Sequence, residues 1–60
     1  MKFWKLLDIV TGEYVCINPK HIIFYKRTDH GVLIDIGPKQ FIALESDFEE
    51  AMSLDGAEEL

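Results

Sequence analysis

Turn-forming residues break this chain at short intervals, and that punctuation limits what it can fold into. Thr11-Gly12-Glu13, Asn18-Pro19, Thr28-Asp29-His30-Gly31 and Gly37-Pro38-Lys39 leave no stretch before Ser46 that would hold an ordinary helix of about 11 residues. The segments between these turns are short, apolar and rich in β-branched and aromatic residues, which suits strands. Five are expected: Lys2 to Val10, Tyr14 to Ile17, His21 to Arg27, Val32 to Ile36 and Gln40 to Leu44. Asn18-Pro19 ends the second, because proline brings no amide hydrogen to a ladder and asparagine closes local turns. Residues 28–31 form a flexible polar turn that joins the third and fourth as a hairpin.

At Ser46 the pattern changes. Ser46-Asp47-Phe48-Glu49 fits a capping box, in which the serine hydroxyl takes the amide three residues on and the glutamate reaches back. The spacing predicts a helix over about 46–54, stopped at Asp55-Gly56. Phe48, Ala51 and Met52 lie three and four apart and form its apolar stripe, while Asp47, Glu49 and Glu50 lie near the positive end of the macrodipole. The fold class is mostly β with one short C-terminal helix (α+β): an antiparallel five-stranded meander, or a small curled barrel, followed by a helix. Residues 1–56 make the single domain, and 57–60 are read as an acidic tail.

Neither face of such a sheet is plainly polar. In the first strand Phe3, Leu7 and Ile9 fall on one side, with Trp4 and Leu6 on the other beside Asp8; in the third, Ile22 and Phe24 oppose Ile23 and Tyr25. Two turns of helix cannot cover both sides of five strands. Two explanations stand: a tightly curled sheet that leaves a few aromatics exposed, or a surface covered by a second copy or a partner. Size favours association. A chain of 60 residues hides only about 60% of the surface its unfolded form exposes. Its one cysteine, Cys16, excludes an internal disulfide and leaves a zinc site without a second sulfur.

Charge is divided unevenly. Residues 1–27 hold five Lys or Arg against two acids, whereas residues 28–60 hold one Lys against nine acids, within a net charge of −5. An acidic half of this kind disfavours nucleic acid, whose phosphates need clustered Lys and Arg, and suits a basic protein surface. Lys20, Lys26 and Arg27 do flank Phe24 and Tyr25, an interleaving that lets bases stack beside a basic strip. A lysine-guarded strand edge explains the same residues. No apolar run approaches the roughly 18 residues that span a bilayer, and the start lacks the long apolar core of a signal peptide. The expected location is therefore the cytoplasm, of a bacterium or an infected host cell, with no membrane involvement.

Chemistry at neutral pH would have to come from His21, His30 and Cys16. His21 follows a turn, His30 sits in a hairpin loop, and Cys16 lies mid-strand, where a buried structural cysteine is expected. No paired nucleophile and base, calcium loop or glycine-rich phosphate loop is present in the sequence. The expectation is a non-enzymatic protein that needs no metal and no cofactor.

From Gly12-Glu13 onward, through Ile17-Asn18-Pro19, Ile22, Gly31-Val32-Leu33-Ile34 and Leu44-Glu45-Ser46 with Glu49-Glu50, the order of elements resembles the small flagellar and swarming-motility proteins of the FlbD type. That resemblance implies a non-catalytic accessory protein of motility. By size and charge alone the chain also looks like small acidic phage-encoded inhibitors of host defence proteins. The leading expectation is a small regulator or inhibitor that binds another protein, as a homodimer, with Trp4, Tyr14, Phe24, Tyr25, Glu49 and Glu50 as interface residues. A weak single-strand nucleic-acid binder is the alternative from another class.

Overall fold

The computed structural model describes residues 3–55. Five strands, β1 (Trp4–Asp8), β2 (Glu13–Ile17), β3 (Phe24–Arg27), β4 (Val32–Asp35) and β5 (Gln40–Ala43), precede one helix, α1 (Glu45–Asp55), and a 3-10 turn, Pro19–His21, lies between β2 and β3. They form a single antiparallel sheet in the order β2-β1-β5-β4-β3. The expected fold class is found in its open form, since the sheet does not close into a barrel. Asp8 lies opposite Ala43, so the first strand is in the interior of the sheet and the first hairpin is joined to the last three strands through it. The acidic tail expected at 57–60 lies outside the described residues.

Turn chemistry explains why the strands are shorter than the apolar segments. The carbonyl of Asp8 accepts the Gly12 amide at 2.8 Å and its carboxylate Oδ1 accepts the Val10 amide at 2.9 Å, so Ile9 and Val10 belong to the turn. Asn18 Oδ1 accepts the Lys20 amide at 3.0 Å and Pro19 opens the 3-10 turn, which takes His21 out of the third strand. The Thr28 hydroxyl donates to the Gly31 carbonyl at 2.9 Å and accepts the Gly31 amide at 3.1 Å. Gly31 is fixed there by space: a Cβ would stand 2.4 Å from the carbonyl oxygen of Ala43, which is backbone and has little room to retreat.

One phase of the strands faces α1. Trp4, Leu6, Ile17, Val32, Ile34, Phe41 and Ala43 are buried together with Phe48 and Met52 from the helix. β2 and β3 follow one another in the chain, run in the same direction and yet occupy opposite edges, with only 18–23 between them. In a flat sheet those edges would lie about 19 Å apart at ~4.8 Å per strand. A segment that short, with a tight turn inside it, cannot cross that width and also return along the strands. The sheet is therefore coiled, and the Phe48 ring marks the coil, its centroid 5.7 Å from that of Trp4 on β1 and 4.9 Å from that of Tyr25 on β3.

Two polar ties flank Phe48. Asp47 Oδ2 accepts the Leu7 amide at 3.0 Å, supplying the acceptor that β5 ceases to provide where the chain turns into the helix. On the other side Arg27 of β3 pairs with Glu45 at 3.3 Å and with Glu49, and its guanidinium carbon lies 5.8 Å from the Phe48 ring centroid. These contacts correct the expected capping box. The helix begins one residue earlier, at Glu45, with the Phe48 amide on the Leu44 carbonyl at 3.1 Å, and Glu49 is drawn to Arg27 rather than back to Ser46.

Phe48→Ala should cost about 3–5 kcal/mol, comparable with the whole stability of a 60-residue chain at roughly 0.05–0.15 kcal/mol per residue. Arg27→Met, which keeps the stem over the ring, should cost about 1 kcal/mol or less because its ion pairs are half exposed. Urea unfolding followed by tryptophan fluorescence compares the two. Gly31→Ala should lower stability by about 1–3 kcal/mol, whereas alanine at Thr11, an exposed turn residue, should cost much less in the same assay.

Candidate protein-binding site

The helix presents a second stripe beside the one that enters the core. Asp47, Glu50, Ala51 and Leu54 recur at i, i+3, i+4 and i+7, and this stripe faces the start of β1. Between them lies an open groove of about 370 Å³ lined by Phe3, Trp4, Lys5, Asp47, Glu50, Ala51 and Leu54. Phe3 and Leu54 are 64% and 71% exposed, whereas Trp4 is only 7% exposed and Ala51 is half-buried. The groove thus has a packed apolar floor and two loose apolar flanks. Its charge is acidic where the helix borders it. Asp47 is held by the Leu7 amide, but the exposed Glu50 makes no ion pair or hydrogen bond among the described residues. Lys5 lines the same rim, with its ammonium drawn toward the Tyr14 ring, 4.8 Å from the centroid.

The six residues expected at an interface are distributed over three places. Trp4 and Glu50 meet in the groove. Tyr25 is half-buried against Phe48, and Glu49 is occupied by Arg27, so both serve the attachment of the helix. Tyr14 and Phe24 lie on the sheet face that α1 leaves uncovered, 60% and 44% exposed, but on the opposite edge strands β2 and β3. Between them on that face run Leu7, Leu33 and Ile42, all half-buried, with Lys5 and Lys26 among them.

Strand phase also rearranges the other candidates. Cys16, expected to be buried, is exposed, because it shares the phase of Tyr14 on the uncovered face of an edge strand. His21 ends the 3-10 turn, and His30 sits in the β3–β4 turn with its amide on the Thr28 hydroxyl at 3.2 Å. Phe24 and Lys26 face away from the helix while Tyr25 and Arg27 face it, which divides the basic and aromatic run between two surfaces. No family model, curated protein or solved structure matches this chain. Five residues of the groove were not expected at an interface: Phe3, Lys5, Asp47, Ala51 and Leu54. The i, i+3, i+4, i+7 spacing of Asp47, Glu50, Ala51 and Leu54 is the signal in the sequence for the helical part of this lining.

The single thiol gives a direct check on the strand phase. Cys16 should react stoichiometrically with a maleimide in the folded protein without denaturant; reaction only after urea is added would place β2 in the opposite phase.

Proposed function

We propose that this chain is a non-enzymatic regulator or inhibitor that acts by binding another protein through the groove between β1 and α1. The observation that carries the reading is a groove with an apolar floor, bordered by Glu50, whose carboxylate has no partner among the described residues. A free monomer gains nothing from leaving a carboxylate and two large apolar side chains, Phe3 and Leu54, open to water beside a buried tryptophan. A partner that brings an apolar side chain with a Lys or Arg next to it would fill the groove and pair Glu50 at once. The acidic balance of the chain, net −5, would steer such a basic segment toward it.

Selection of random peptides on the immobilised protein tests this reading. Peptides that carry an aromatic or leucine residue beside Lys or Arg are expected to be enriched, and Glu50→Lys should weaken them by about tenfold or more. Both Glu50 and Leu54 are exposed, so Glu50→Lys and Leu54→Glu should leave the fold intact. Enriched peptides that bind both variants as well as the parent would overturn the assignment to the groove, and failure to enrich any peptide would overturn the protein-binding reading itself.

A further inference from the structure

The two edges of the sheet differ in how they are protected. β3 carries Lys26 and Arg27, and through Arg27 and Tyr25 it is tied to the helix. β2 is Glu13-Tyr14-Val15-Cys16-Ile17, with no lysine, arginine or proline, and it is paired with β1 on one side alone. Apart from the Glu13 amide, which donates to the Thr11 hydroxyl at 3.2 Å, no described residue outside β1 hydrogen-bonds to it. Natural sheets guard exposed edges with charge, proline or a covering element, because unpaired amides and carbonyls template another strand. β2 has no proline, its one charge, Glu13, stands at its first residue, and α1 lies against β1 rather than over the outer edge of β2.

We propose that β2 is a dimerisation edge, at which two copies of this chain pair antiparallel about a two-fold axis through Val15. This goes beyond the groove reading and does not depend on it. The occupant follows from the charge and length of the strand. Pairing about Val15 uses all five residues, placing Tyr14 opposite Cys16 of the second copy and Glu13 opposite Ile17. The two Glu13 carboxylates then stand at the far ends of the pair, about 14 Å apart at ~3.4 Å per residue, beyond the screening length of about 8 Å at physiological salt. A shift of two residues toward the hairpin turn would bring them to about 7 Å, and a shift the other way runs into the 3-10 turn that begins at Pro19, where the strand has ended. A shift of one places the two helices on opposite faces of the joined sheet. The charge of the strand thus selects the register that also pairs the most residues, with a second copy as the complementary strand.

Sedimentation equilibrium of the full chain should give twice the monomer mass of 6.9 kDa at tens of micromolar; a monomer throughout would overturn the proposal. Tyr14→Cys, at an exposed position, should yield a covalent dimer on mild oxidation, with the disulfide mapped between the introduced thiol and Cys16 of the other copy. The combination Phe24→Cys with Cys16→Ser, which puts the thiol on the opposite edge, should stay unlinked; efficient linkage there would assign the dimer to β3 instead. Should Tyr14→Cys fail to fold, hydrogen exchange of the unmodified protein decides: the amides of Tyr14 and Cys16, which point away from β1, should lose protection on dilution, and concentration-independent exchange would refute the edge. Glu50→Lys should leave the mass unchanged, which separates this test from that of the groove.

Discussion

The burial of Phe48 between Trp4 and Tyr25 holds this molecule together. Those two rings come from strands separated by β5 and β4, so a single helix side chain touches both ends of a coiled sheet. The contact converts an open five-stranded sheet, which has little reason to choose a curvature, into one with a fixed concave side. Leu6, Ile34 and Val32, all fully buried, fill the layer beneath. In so small a chain the helix does not decorate a finished sheet; it completes the one core formed among the described residues.

Burial alone would leave the helix free to slide, and the polar contacts fix its place. Asp47 reaches a strand amide on one flank and Arg27 gathers Glu45 and Glu49 on the other. The half-exposed ion pairs contribute little energy, but they stand on either side of Phe48 and set the rotation of α1. That rotation decides which second stripe of the helix looks toward β1, and so whether Glu50, Ala51 and Leu54 border a groove or face open water. Packing and site are consequences of one helix orientation.

Local chemistry was legible in the sequence where it is local in the structure. Asn18-Pro19, the Thr28 to Gly31 turn and the Gly37-Pro38 break all end strands, because their conformational preferences act within a few residues. Pairing of β1 with β5 was not legible, since Asp8 and Ala43 are joined only after the intervening chain has folded, and nothing in either residue announces the other. The phase of β2 shows the same limit. Alternation of Tyr14 and Cys16 against Val15 and Ile17 was plain, but which pair lies inside depends on the face chosen by the helix. Ser46 and Glu49 matched a local motif that a longer-range partner, Arg27, displaced. Trp4 and Glu50 were recognised for their residue types, and only the fold brings them together.

Asp47 has a further effect, on the order in which parts of the molecule open. The Leu7 amide sits in a strand, yet its acceptor is a side chain on the helix. Its protection therefore depends on α1 remaining docked rather than on the strand ladder, and any fluctuation that lifts the helix exposes it while β1 and β2 stay paired. A ligand that clamps the helix against β1 would slow that one amide without touching it, making Leu7 an internal gauge of helix undocking.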